Sequence, residues 1–266
     1  MSLSTEFSLP RIGLRMLGSL SRLSHVYEVR LAECEADSMA AFRLRYEVFN
    51  QELGEGFSES HATKLDCDKF DSVMEHLLVI EKKTGCLVGT YRLQTGQMAR
   101  TGCGFYSAQE FDFEPFAPIE DQLLELGRAC IHRQHRTATV VLLLWQAIAD
   151  YAQAHGCRYL VGCSSLTSQS PAHGHAAWLK LQQSGHLAPE PLRTLPRPEY
   201  ALPDALPESD SFPIPRLLRA YLGVGAKICG APAIDREFGT IDFLTILDLH
   251  SANPTASGRF LKSLEK

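Results

Sequence analysis

Apolar residues recur at helical spacing between Ala36 and Leu53, with Phe42, Phe49 and Leu53 on one stripe, so this segment reads as a helix preceded by a strand at Val26 to Ala32. His76 to Lys82 and Cys86 to Gln94 alternate as strands and are joined by Lys83-Thr84-Gly85, which predicts a hairpin. In the second of these strands Val88, Thr90 and Arg92 share one face and Leu87, Gly89, Tyr91 and Leu93 the other. Both faces are largely apolar, so the strand is predicted to be covered on two sides. After an aromatic connector over residues 105–120, Gln122 to Ile131 reads as a further strand and Thr139 to His155 as a strong helix stopped by Gly156. Cys157 to Cys163 is β-prone, and residues 171–184, with Trp178 and Leu181, form a second helix. Eight of the fourteen prolines lie between His186 and Pro215, which predicts an irregular insertion or lid there. Strands near Ala226 to Ala231 and Thr240 to Leu249 complete a β-α-loop-β-β-β-α-β-α-β-β order, that of a mixed α/β layered sheet with a helix packed on either face.

Seven charges interrupt these apolar patterns: Arg45, Asp66, Asp68, Asp71, Arg92, Glu125 and Arg128. Buried charges are rare unless paired, because leaving water costs each ion several kcal/mol, roughly, even after relaxation. Arg45 lies at i+3 from Phe42 and i−4 from Phe49, so it faces inward. Glu125 and Arg128 are three apart on a strand and point to opposite faces unless a β-bulge intervenes, for which Gly127 is the natural place. The loop Lys64 to Asp71 carries three acids that nothing local neutralises, and Asp71 stands where an EF-hand would need its turn glycine. Taken together the seven predict a polar cavity, the alternative being ordinary ion pairs. His173 and His175, two apart on a helix, point in different directions and read as structural or solvent-facing, so no metal site is expected. Ser164 and Ser165 at a strand end either touch a ligand or cap the next helix, with capping favoured.

The 266 residues, 45% hydrophobic, suffice for one domain over residues 26–250, containing the insertion 186–215, with an extension at 1–25 and a tail at 251–266. A net charge of −5 argues against a general nucleic-acid partner. Eight cysteines without C-x-x-C or zinc spacing fit a reduced, cytoplasmic setting. No apolar run is long enough to span a bilayer. Arg11, Arg15 and Arg22 among Ile12, Leu14, Met16, Leu17, Leu20 and Leu23 describe a short basic amphipathic helix within residues 10–24, too interrupted for a secretory signal. Such a helix can make peripheral contact with the anionic inner membrane surface or dock on the domain.

Four motif blocks stand at characteristic intervals: Arg45-Tyr46-Glu47-Val48-Phe49 with Glu52-Leu53-Gly54, Asp66-x-Asp68-x-Phe70-Asp71, Gly89-x-x-Arg92-Leu93, and Glu125-x-x-Arg128. In these blocks and in element order, residues 40–250 resemble the GNAT superfamily. Within it they resemble acyl-homoserine-lactone synthases, N-acyl amino acid synthases and ornithine acyl-carrier-protein N-acyltransferases, which make lyso-ornithine lipid. Lactone synthases usually carry a tryptophan where this chain has Gly54-Glu55-Gly56-Phe57. The block Pro215 to Leu222, Gly225-Ala226, Ala233-Ile234-Asp235 and Phe238-Gly239-x-x-Asp242 resembles the ornithine branch, as does His132-x-x-His135-Arg136. The resemblance implies a GNAT-like, mixed but mainly antiparallel central sheet with helices on both faces. It also implies an acyltransferase that moves a (3-hydroxy)fatty acyl group from acyl carrier protein to the α-amino group of ornithine. The alternatives are another amine acceptor, including S-adenosylmethionine as in autoinducer synthesis, and a non-catalytic acyl-carrier-binding module.

Acetyl-CoA enzymes of the superfamily hold pyrophosphate on a glycine-rich turn, whereas this chain has Arg136-Thr137-Ala138-Thr139-Val140. Without glycine there, a donor lacking pyrophosphate fits better. The expected co-substrate is a 4′-phosphopantetheine thioester on acyl carrier protein, with no bound cofactor, and Arg133, Arg136, Thr137 and Thr139 are the residues placed to hold its phosphodiester. The implied aminolysis needs a base, and Glu125 is the candidate, with burial raising its pKa and Arg128 opposing the rise. Backbone N–H groups freed by a bulge over residues 127–130 would polarise the thioester carbonyl, as the superfamily resemblance implies. Arg45, Arg92 and Arg128 are expected to orient carboxylates or the acyl 3-hydroxyl. Asp66, Asp68 and Asp71 either receive the cationic side chain of ornithine or only fix the arginines. Asp235 and Asp242 are secondary binding candidates that read equally as strand-end residues.

Overall fold

The alternating segments assemble into one eight-stranded sheet in a computed structural model, which describes residues 25–205 and 213–251. Its strands are β1 (Tyr27–Leu31), β2 (Glu75–Glu81), β3 (Leu87–Thr95), β4 (Leu123–Ile131), β5 (Tyr159–Leu166), β6 (Lys227–Ile228), β7 (Ala233–Asp235) and β8 (Thr240–Asp248). They lie in the order β1-β2-β3-β4-β5-β8-β6, with β7 also on β8, and every pairing is antiparallel except β4 with β5. The helices are α1 (Glu35–Tyr46), α2 (Ser60–Thr63), α3 (Gly96–Thr101), α4 (Ala138–Ala154), α5 (Pro171–Gln183) and α6 (Arg216–Gly223). The two faces of β3 decide the layering. Arg92 meets the side of the sheet covered by α1, while Tyr91 and Leu93 pack with Val140, Leu144 and Ile148 of α4 in the main core.

The expected strands and long helices all form, with ends shifted by at most three residues except at the end of the first helix, and the mixed, mainly antiparallel sheet covered on both faces is the architecture observed. Three particulars differ. The first helix does not continue to Leu53 as α-helix but widens into a π-helical turn, Glu47–Leu53, closed by Gly54 at φ 68°; such turns re-aim side chains, and Phe49 and Leu53 point into a cavity described below. Residues 216–223 form a helix that the surrounding prolines obscure, although Leu218 and Leu222 are four apart and both buried. The described part of the proline-rich insertion is irregular, yet single bridges from Leu187 to Ile228, Phe111 to Pro196 and Ala201 to Ala233 tie it to the body. The expected amphipathic helix within residues 10–24 and the tail beyond residue 251 lie outside the described residues. No helix among the described residues is long and apolar enough to cross a membrane.

The parting of β4 and β5 creates the site. Their parallel ladder runs only from Leu123–Tyr159 to Glu125–Val161, after which β5 stays with β8 as far as Leu166 while β4 turns away. At the branch point a Cβ on Gly162 would stand 2.2 Å from the Leu126 carbonyl oxygen, so only glycine allows the close approach. Gly162→Ala is expected to cost about 1–3 kcal/mol by forcing the strands apart, read as a lowered urea midpoint at unchanged m-value.

Candidate active site

The inward-facing charges of the motif blocks gather on the α1 side of the sheet. Arg45, fully buried, donates from Nε to Asp66 at 2.7 Å and from its two terminal nitrogens to Asp71 at 2.7 and 3.0 Å. Arg92 Nη1 donates to Asp68 at 2.7 Å and to Asp71 at 3.0 Å, and Arg128 Nη2 reaches Asp68 at 3.1 Å. Asp68 and Asp71 also cap the turn Lys69–Ser72 reciprocally, which fixes the loop that carries them. Burial raises the Asp71 carboxyl, but the Arg45 and Arg92 charges outweigh it and hold Asp71 well below the usual carboxylate range. Three arginines thus meet three aspartates. The acids fix the arginines, and Asp66 and Asp71, with Arg45 between them, stand behind the cavity wall rather than in it.

The bulge lies one residue beyond Gly127. Arg92 pairs with Gly127 and Thr90 with Cys130, leaving Arg128 and Ala129 opposite Tyr91, and Arg128 itself adopts φ 48°. A left-handed conformation is unfavourable for arginine, and here it is held by the salt links of the guanidinium and by its stacking over Phe238, Tyr106 and Phe57 at 4.4, 4.9 and 5.2 Å. Glu125 and Arg128 consequently share one face, as a bulge requires.

Between the separated strands lies a cavity of about 290 Å³. On the α1 face its wall includes Arg92, Tyr106, Glu125, Arg128, Asp235 and Asp242; on the α4 face it includes Trp145, Leu160, Leu217, Leu218, Tyr221 and Leu247. Tyr91 and Tyr221 join hydroxyls at 2.5 Å beside Trp145, so the second half is closed by aromatic rings. Glu125 is only 1% exposed and accepts from Tyr106 N–H at 2.8 Å, Ser107 N–H at 2.7 Å and Gln94 Nε2 at 3.1 Å. Burial pushes its carboxyl up, against hydrogen bonds from the Ser107 backbone and hydroxyl, the Tyr106 N–H and the Arg92 charge. The hydroxyl of Ser107 thus bears on Glu125, and both residues line the cavity.

A second acidic group joins Asp235 and Asp242, both secondary candidates from the sequence, to Glu110, which sequence reasoning missed. Glu110, in the aromatic connector, comes together with Asp235 of β7 and Asp242 of β8, one oxygen of each lying within 4.8 Å of the others, and all three are buried. Burial, then the charges of Asp242 and Asp235, push Glu110 well above the usual range; burial pushes Asp242 up to about 6. Glu110 has no periodic pattern around it that could mark it, and Asp242 reads as one polar residue in an apolar strand.

The remaining candidates make local contacts. Arg136 is exposed and paired with Glu52, with Nε on the Ile131 carbonyl; Thr137 caps α4 by accepting from Val140 N–H; Arg133 is exposed and Thr139 half-buried in the first helical turn. All four cluster at the N-terminus of α4, at the end of β4. Ser170, not Ser164 or Ser165, occupies the N-cap position of α5; Ser164 accepts from Thr245, Ser165 pairs with Asp242 across β5 and β8, and both line the cavity. His173 contacts Ser168, and His175 reaches the Pro203 carbonyl.

A GNAT acetyltransferase domain profile matches residues 44–146. An L-ornithine N(alpha)-acyltransferase of Rhodobacter capsulatus is 35% identical over 235 residues, covering 84% of this chain and 90% of the relative. Another of the same name from Brucella abortus is 35% identical and covers 84% of each chain. Among solved structures, the AHL synthase LasI superposes with a TM-score of 0.50 at 14% identity, covering 86% of this chain and 93% of the other. The CoA-dependent acyl-homoserine lactone synthase BjaI does so at 0.51 and 14%, covering 90% of each; these two show a shared fold. With a cleft between parted strands, a buried ionic wall and relatives of this identity along most of its length, the chain belongs to the L-ornithine N(alpha)-acyltransferase family of GNAT-fold enzymes.

Proposed function

We propose that this acyltransferase moves a fatty, 3-hydroxylated acyl group from the phosphopantetheine thioester of acyl carrier protein to the α-amino group of ornithine, giving lyso-ornithine lipid. One observation carries the proposal: a single cavity joins an ionised wall on one side of the sheet to an apolar wall on the other through the gap between β4 and β5. That is the shape required when a fatty thioester and a free amino acid meet at one carbon.

The acyl chain lies along Trp145, Tyr221, Leu160 and Leu247, and the amine approaches from the Arg92 and Arg128 side, where a guanidinium receives its carboxylate. The amine nitrogen attacks the thioester carbonyl carbon, and the C=O electron pair moves to oxygen. Backbone N–H groups along the β4 edge, without ladder partners beyond Glu125, stabilise that charge. The ammonium proton passes through the Ser107 hydroxyl to Glu125, the carbonyl re-forms, and the C–S bond breaks to release the carrier thiolate, which takes up a proton. The donor phosphodiester sits at the α4 N-terminus near Arg133, Arg136, Thr137 and Thr139, where the free N–H groups of the first turn favour an anion. Peripheral membrane contact through residues 10–24 would place the enzyme beside its lipid product.

Incubation of the purified chain with 3-hydroxyacyl carrier protein and a panel of amino acids is expected to give an acylated ornithine by mass spectrometry. An acyl lactone from S-adenosylmethionine, or transfer from acyl-CoA but not from the carrier, would overturn the proposal.

A further inference from the structure

We infer that Glu110, Asp235 and Asp242 form the socket for the side-chain ammonium of a basic amino-acid acceptor, and so decide which amine is acylated. The inference rests on the acyl-transfer function proposed above and adds the part of the site that reads the acceptor side chain.

The first support is electrostatic. Asp66, Asp68 and Asp71 are matched one for one by Arg45, Arg92 and Arg128 and retain no charge for a cation. No salt bridge among the described residues reaches Glu110, Asp235 or Asp242, although they are only 2%, 6% and 3% exposed. Glu110 and Asp242 face each other, and Glu110 Oε2 and Asp242 Oδ1 have no donor group of the protein to satisfy them. Two buried carboxyls in contact are compatible only with a shared proton or a cation between them. Asp235 and Asp242 line the cavity, so an acceptor bound there meets the group.

A second, separate observation points to the other end of the same ligand. Arg92 lines that cavity, is 1% exposed, and leaves Nε and Nη2 without acceptors, which is a binding position for a carboxylate. Unsatisfied donors at Arg92 and unsatisfied acceptors at Glu110 and Asp242 describe a zwitterion with an additional positive charge.

An ammonium fits better than a metal ion. It brings three N–H donors and needs few acceptors. The trio has little to give a hard cation, which takes six or more oxygens: Asp235 Oδ1 already accepts from the N–H groups of Glu237 and Phe238, and Asp242 Oδ2 from the Thr240 hydroxyl.

The test compares L-ornithine with L-norvaline, which has the same carbon chain and no side-chain amine, in the full-length enzyme and in Glu110→Gln and Asp242→Asn, with saturating acyl carrier protein. The wild-type enzyme is expected to prefer ornithine by roughly 10⁴ in kcat/KM, as for a site built to bind a group the analogue lacks. Each variant is expected to lower that ratio on the order of 100-fold, mainly through the KM for ornithine. An unchanged ratio, or equal losses with both acceptors, overturns the inference. Should neither variant fold, the wild-type protein still decides: ornithine raises its melting temperature and norvaline does not, and equal shifts overturn the socket. Ornithine turnover abolished by a chelator and restored by Mg²⁺ or Ca²⁺ overturns it in favour of a metal. If no amino acid is acylated at all, the acyl-transfer proposal fails, while the melting comparison still reports on the socket.

Discussion

Arg45→Ala is expected to lower the unfolding free energy by about 3–5 kcal/mol, because it strands two buried carboxylates. That is a large fraction of the ~5–15 kcal/mol typical of a domain. Arg45 gives Asp66 and Asp71 their shortest bonds, both acids are almost fully enclosed, and Arg92 and Arg128 cannot move to cover the loss because each is held by Asp68 as well. Urea denaturation measures the effect. The companion change Arg45→Met with Asp66→Asn should cost less than the sum of its parts, since removing both partners leaves no orphaned charge between them. The pH dependence follows from Asp71. Its carboxyl is held below the ordinary value in the folded state, so its contribution is present above the unfolded pKa of roughly 3.9 and is lost as pH falls below it. The wild-type chain should therefore lose stability steeply on acidification below about pH 4, and Arg45→Ala should lose less. A loss under about 1 kcal/mol in the variant at pH 7 would mean the cluster behaves as surface pairs do.

Glu125→Gln is expected to lower kcat by roughly 10²–10⁴, the range for a lost general base. The substitution also has a structural cost. Tyr106 and Ser107 present N–H groups to the carboxylate, and a carboxamide can turn its oxygen to only one of them, leaving a donor facing a donor; that costs about 1–3 kcal/mol. Gln94, whose Oε1 is unpaired, can flip to accept from the new amide and recover part of it. Melting temperature and kcat therefore have to be read together. A folded variant with near-normal kcat would make Glu125 only the anchor of the Tyr106–Ser107 turn. A kcat loss in a variant of nearly wild-type melting temperature would mark it as the proton acceptor.

What the sequence determined by itself is local in origin. Helical and strand periodicity are properties of a few consecutive residues, and they were enough to place β2, β3, α4 and α5, to turn Arg45 and Arg92 inward, and to show that Glu125 and Arg128 share a face only across a bulge. The bulge position depended on more distant partners: Gly127 stays in register under Arg92, and Arg128 takes the strain because its guanidinium has aspartates and aromatic rings to hold it. The partners of Asp66, Asp68 and Asp71 could not be read along the chain; in space these acids face Arg45, Arg92 and Arg128 and lie outside the cavity lining. Glu110, Asp235 and Asp242 lie up to 132 residues apart and share no period, so only the sheet order, which sets β8 beside β5 and folds the aromatic connector under both, brings them together. The same holds for α6, whose apolar stripe sits among prolines and becomes meaningful once it closes the cleft. Periodicity fixes which way a side chain points; topology decides what it meets there.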